Sequence, residues 1–208
     1  MNISLKAGEK KKMLSAADMY EIMQRILLRE NRIDRNREHL WTISLDTANR
    51  LLAIELVSMG SVNKTIVEPM EVFSVPLQKR AVKVVVIHNH PSGQIKPSAA
   101  DKDITDQLIQ CGELLHVPVA DHLIISEKSY YSFEENGLLA ELQQSTKYVP
   151  NYILKARLKK ELDESAAAKG EERKARAMAK VMKANGEPIE KIVEYTGLSK
   201  VVVGRMKG

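Results

Sequence analysis

The chain has 208 residues, of which 44% are hydrophobic and 28% charged, an ordinary balance for a globular protein with one sizeable core plus an extension, or two small domains. Its one cysteine, Cys111, excludes an internal disulfide, and no apolar run approaches the roughly 18 residues that cross a bilayer. The basic N-terminal stretch has no apolar segment behind it, so a signal peptide is not expected and the cytoplasm is the expected compartment.

Residues 1–14 read as a flexible tail. "SAADMYEIMQRILLRE" then places Met19, Ile22, Met23, Ile26 and Leu27 at helical spacing, with Ser15 as N-cap and Asp18 completing a capping box. "HLWTISLDTANRLLAIELVSMG" reads as a hairpin, two β-leaning runs around "DTAN". "SVNKTIVEP" is read as a short strand. "PMEVFSVPLQKRA" is helical in pattern, but Pro76 lacks the N–H and crowds the preceding turn, so a kinked or shortened helix is expected. "VKVVVIHN" is a continuous β-branched run, the signature of a buried central strand. "SAADKDITDQLIQCGELLHV" is a helix with Ser98 as N-cap and Asp101 in its first turn. "PVADHLIIS" and "SYYSFEENG" read as two further strands. The interleaving predicts an α/β or α+β domain over 15–142, followed by a linker at 143–152.

The chemistry gathers in "VVVIHNHPSGQIKPSAAD", Val84–Asp101. Alternate residues of a strand share a side, so His88 and His90 aim at one point. The turn-rich "PSGQIKP" lets Asp101 fold back to the same point. Two imidazoles and a carboxylate form a three-ligand set suited to zinc, with a fourth position left open as in catalytic sites. An H-x-H pair alone is a weak signal; the rest of the stretch strengthens it.

His88-Asn89-His90-Pro91, a six-residue spacer, Ser98, a two-residue spacer and Asp101 fit the pattern H-x-H-P-x6-S-x2-D. On these residues the chain resembles the JAMM (MPN/JAB) metalloprotease domain. "HNHPSG", "SLDTANRLL", "ADHLIIS" and "SYYSFEENGLL" are similar to its bacterial RadC-like branch, over about residues 15–140. The resemblance implies a mixed sheet flanked by helices and a Zn2+ cofactor held by His88, His90 and Asp101. It implies that Ser98 stabilises the tetrahedral oxyanion. It also implies a glutamate near the start of an early strand as general base, for which Glu38 is the candidate and Glu30 and Glu55 are less well placed. His39 falls on the opposite strand face. The implied activity is that of a JAMM-type zinc metallopeptidase: zinc-activated water hydrolysing an amide or isopeptide bond, the substrate being unidentified. Asp121 and His122 match the branch's "DH" and either orient a ligand from behind or bridge strands. Cys111 reads as core packing. RadC-like proteins usually carry an N-terminal helix-hairpin-helix region, which this sequence is not expected to contain, and Pro76 interrupts a helix that is usually smooth.

Residues 153–208 read as a basic, all-helical extension, with a break near Gly170. From residue 151 onward there are fourteen Lys/Arg against eight Asp/Glu, whereas residues 1–150 hold eighteen against nineteen, which predicts two regions with different partners. "EPIEKIVEYTGLSKVVVGRMKG" resembles a helix-turn-helix, with Gly197 in the turn and Ser199 as second N-cap. Lys200, Arg205 and Lys207 are then candidates to hold DNA phosphates, while Glu187, Glu190 and Glu194 oppose such a contact. The same segment is also readable as a homodimerisation element, and no membrane contact is expected. The competing reading of the whole chain is a DNA-associated binding protein with a structural or vestigial zinc site, acting in DNA repair or mobile-element biology.

Overall fold

The computed structural model describes residues 12–60 and 67–206. Most of the strand expected over "SVNKTIVEP", and the tail up to residue 11, lie outside the described residues. The chain divides into two compact units, Met1–Val149 and Pro150–Gly208.

The first unit is a mixed five-stranded sheet with helices on both faces. In chain order it runs α1 (Ala16–Arg29), α2 (Arg32–Arg35), β1 (His39–Leu45), β2 (Leu51–Met59), α3 (Pro69–Gln78), β3 (Lys83–Asn89), α4 (Ala99–Leu115), β4 (Val119–Ile125), β5 (Tyr130–Ser132) and α5 (Leu138–Gln143). The strand order is β2-β1-β3-β4-β5. Among the described residues only the β3–β4 pair is parallel, and α4 supplies its crossover. β1 and β2 form the hairpin around "DTAN", with Asn49 left-handed and the Asp46 carboxylate accepting from the N–H groups of Ala48 and Arg50.

Strand alternation sorts two cores. Trp41, Ile43, Val85, Ile87, Leu123 and Ile125 face α1. Leu40, Val84, Val86 and Ile124 face the other way and pack with Phe73, Leu108, Ile109 and Leu139. β3 is buried on both faces, as its continuous apolar run requires. Cys111 packs against the second core, and burial pushes its thiol pKa up, away from nucleophilic use. Pro76 sits in the last turn of α3, which ends two residues later.

Two boundaries differ from expectation. Lys12 bridges Arg50, and Met13 is buried with its N–H on the Asn49 carbonyl at 2.8 Å, so the expected tail is already docked at its last residues. The expected linker is also held down as far as Val149. Ser145 Oγ donates to Asp106 at 2.6 Å, Tyr148 and Lys147 bind Asp103, and Val149 is buried. Polar side chains read as linker chemistry instead pair with carboxylates along α4.

α4 carries Asp101, and Gly112 near its other end fits a close approach. A Cβ there would lie 2.8 Å from the Val117 carbonyl oxygen and 3.3 Å from the Phe73 ring. Gly112→Ala is expected to cost about 1–3 kcal/mol, the usual penalty for overpacking a tight site. Urea unfolding measures it, and an unchanged midpoint contradicts it.

The second unit comprises α6 (Asn151–Ala184), α7 (Ile189–Thr196) and α8 (Lys200–Arg205). α6 runs unbroken through Gly170, contrary to the expected interruption. One glycine costs about 1 kcal/mol in a helix, which a long run of good helix formers outweighs. Ala179, Ile192 and Val203 make a small core joining the three helices. Gly197 is the left-handed cap of α7, and Ser199 caps α8. Lys183 Nζ closes the far end of α8 on the carbonyls of Val203, Gly204 and Met206.

Candidate metal centre

The site forms where β3 runs out. His88 is the penultimate residue of β3, and His90 follows its last. Both lie on the α4 side of the sheet. The loop returns the chain to Ser98, the N-cap of α4, through a complete capping box. Ser98 Oγ accepts from the Asp101 N–H at 3.1 Å, and Asp101 Oδ2 accepts from the Ser98 N–H at 2.7 Å. The cap thus fixes the Asp101 carboxylate as well as the helix. Its Oδ1 lies 3.3 Å from His88 Nε2, and its Oδ2 lies 3.5 Å from His90 Nε2. Ligand atoms of His88, His90 and Asp101 all lie within 4.8 Å of one another, the one such group among the described residues.

The donor set fits a cation. His90 Nδ1 sits 2.6 Å from the Gln94 carbonyl oxygen, which only accepts, so Nδ1 carries the hydrogen and the neutral ring leaves Nε2 bare. That bare nitrogen meets His88 Nε2 at 2.9 Å beside a carboxylate. Such a convergence of acceptors calls for a proton or a metal ion at its centre. Burial would push Asp101 up, but the two imidazoles and Ser98 hold its carboxyl well below the usual carboxylate range. Asp101 above all, and Glu38 more weakly, push His90 up against the effect of burial.

A cleft of about 910 Å³ opens on this point, lined by His88, His90, Asp101, Glu38, Ser98 and His122. Glu38 immediately precedes β1, on the strand face of Leu40, whose partner across the sheet is His88. All five residues singled out from the sequence therefore border one cavity. His39 turns to the opposite face, where it is buried and stacked on Trp41.

The "DH" pair splits in two. Asp121 accepts from the N–H groups of His122 and Glu134 and from Ser132 Oγ, at 2.7, 2.9 and 2.6 Å, so it ties β4 to the end of β5 and the chain that follows. His122 instead stands behind the site, with Nε2 2.8 Å from His88 Nδ1. Burial pushes its imidazole pKa well down, with His88 adding to the effect.

Sequence reasoning passed over Asn89 and Thr105. Asn89 points away from the two histidines that flank it. Its Oδ1 accepts from the His39 N–H at 2.7 Å, and its Nδ2 donates to the Arg37 carbonyl at 3.0 Å. The amide therefore clamps the backbone on both sides of Glu38. The available signal was strand alternation, which puts the middle residue of H-x-H on the other face. Thr105 touches His122, a contact between residues 17 apart that no local pattern marks.

The mixed sheet, the crossover helix and the His-His-Asp cluster at the strand end define a JAB-type α+β domain. A family model described as the RadC-like JAB domain matches residues 13–138, and the chain belongs to that family. A UPF0758 protein of Chlorobium chlorochromatii is 39% identical over 130 residues, covering 62% of this chain and 56% of that protein. A UPF0758 protein of Clostridium acetobutylicum is 44% identical over 104 residues, covering 50% of this chain and 45% of that protein. One of Methanosarcina barkeri is 40% identical over 130 residues, covering 62% and 55%. The chain spans about half the length of these curated relatives. No helix among the described residues is long and apolar enough to cross a membrane.

Proposed function

We propose that the chain is a zinc-dependent hydrolase of the JAMM type, acting on amide or isopeptide bonds. The observation that carries this reading is the meeting of a His-His-Asp donor set with Glu38 and Ser98 on one cleft. His88, His90 and Asp101 would hold the ion, and three ligands of this kind leave a fourth position open. Zinc there supplies Lewis acidity, acidifying water and polarising a carbonyl. Glu38 takes the proton of the attacking water and passes it to the leaving amine. Ser98 Oγ already accepts from the Asp101 N–H, which leaves its own O–H to donate to the developing oxyanion. Asn89 holds the backbone that carries Glu38. The test is metal analysis of purified protein with a hydrolysis screen on amide and isopeptide substrates, wild type beside Glu38→Gln. Protein that takes up no zinc and shows no hydrolysis overturns the reading.

For the second unit we infer DNA binding through α7 and α8. The supporting observation is the helix-turn-helix arrangement with a left-handed Gly197 between the helices, together with the local surplus of basic residues. The full chain is expected to bind duplex DNA with an affinity that falls steeply with salt. The Lys200→Ala, Arg205→Ala double variant should bind more weakly and lower the salt slope by about one for each phosphate it no longer neutralises. Equal affinity and slope in wild type and variant would remove these helices as the DNA element.

A further inference from the structure

Behind the candidate metal site runs a buried chain of polar contacts that ends in a group of fixed character. Thr105 Oγ1 lies within hydrogen-bond distance of the Asp101 carbonyl oxygen, one helical turn back, and 2.6 Å from His122 Nδ1. His122 Nε2 lies 2.8 Å from His88 Nδ1. His88 Nε2 then faces His90 and Asp101. Thr105 and His122 are fully buried, so each of these contacts must be satisfied within the protein.

Donor and acceptor rules leave one assignment. A backbone carbonyl only accepts, and a threonine hydroxyl has one hydrogen. Thr105 therefore donates to Asp101, as buried helical threonines do to the preceding turn. Toward His122 it can then only accept, so His122 carries its hydrogen on Nδ1. The ring is fully buried and bonded to Thr105 and His88 rather than to a carboxylate, so it carries one hydrogen only and presents a bare Nε2, which accepts from His88 Nδ1–H. His88 in turn presents a bare Nε2. We propose that Thr105 and His122 are positioning residues that set the tautomer of His88, so that its Nε2 lone pair is turned to the metal.

Free neutral imidazole has no such fixed preference for Nδ1–H, so the tautomer is a property of this environment. Without the Thr105 hydroxyl, His122 Nδ1–H would be buried with no acceptor, which disfavours that tautomer. Moving that proton to Nε2 relieves this, but Nε2–H then donates to His88 Nδ1. His88 must shift its own proton to Nε2, where it stands in the way of a cation. Each ring keeps one proton throughout; only its position changes. Partners of this kind behind a metal-binding histidine typically contribute about 10–100-fold in affinity.

This inference rests on the metal-site reading, and the experiment separates the two. Long-range ¹H–¹⁵N correlation spectra of the metal-free wild type read the imidazole tautomers directly. His122 is expected as the Nδ1–H form and His88 with a hydrogen on Nδ1, whether or not the empty site also holds a proton at Nε2; a His88 ring with Nδ1 bare overturns the proposal whether or not the protein binds metal. Zinc affinity is then measured by chelator competition on the full chain. Thr105→Val keeps the shape of the side chain and should weaken binding about 10–100-fold, while Thr105→Ser, which keeps the hydroxyl, should bind nearly as wild type. The spectra should show His88 moved to Nε2–H in Thr105→Val only. A helical threonine that merely packs would leave tautomer and affinity unchanged, and that result overturns the proposal. Failure of the wild type to bind zinc overturns the metal reading instead, and the wild-type spectrum still decides the tautomer.

Discussion

Glu38→Gln is expected to keep the fold and the zinc of the parent chain and to lose about 10²–10⁴-fold in hydrolytic rate, the usual share of general acid–base catalysis. The expectation follows from where the residue stands. Glu38 lies outside the His88, His90 and Asp101 cluster, so the ion does not depend on it, yet it borders the same cleft. Its backbone is fixed through its neighbours, since Asn89 holds the Arg37 carbonyl and the His39 N–H. Glutamine has the same shape and retains one accepting oxygen, so it can orient a water. It cannot take a proton. Loss of rate with unchanged metal content is therefore the mark of a base. Wild-type turnover by Glu38→Gln would move that role elsewhere.

His88→Ala, alone or with His90→Ala, is expected to lose both metal and activity, because a three-ligand set has no spare donor. Purified wild type should hold about one zinc per chain, and full occupancy in the double variant would sink the assignment. Asp101 needs a paired design, since its carboxylate caps the helix as well as standing in the candidate ligand set. Asp101→Ala removes the acceptor of the Ser98 N–H and should cost about 1 kcal/mol of stability through the broken cap, in addition to emptying the site. Asp101→Asn keeps an oxygen for that N–H but carries no charge. It should weaken zinc binding while leaving the unfolding midpoint closer to wild type. Metal analysis and urea unfolding on the same preparations separate the two effects. Equal loss of stability in both variants would show that the cap is not what the carboxylate contributes.

Several of these features were legible in the residues themselves because they depend on neighbours close in sequence. The i, i+2 rule is enough to put His88 and His90 on one side of a strand. The three-residue spacing from Ser98 to Asp101 is enough for a capping box, and that box is what aims the carboxylate. "DTAN" between two β-leaning runs is enough for the hairpin. The β-branched run before His88 is enough for a buried strand. Each rests on backbone geometry that repeats over a few residues, so local chemistry alone dictates it.

Other features were decided only when distant segments met. β3 and β4 pair in parallel with Val86 opposite His122 and His88 opposite Ile124, and that register sets His122 diagonally behind His88. A slip of one residue would have turned His122 to the other face. The packing of α4 on the sheet then brings Thr105 to His122. Asn89 reaches the segment around Glu38 only because β1 and β3 are neighbours. Met13 and residues 145–149 read as tail and linker because their composition is polar or mixed, but the sheet and α4 offered them partners. Hydrogen-bond partners tens of residues apart follow from register and packing, which no short stretch of sequence encodes. The residues that converge on the candidate metal centre were therefore visible in advance, while those that hold them in place emerged only from the tertiary structure.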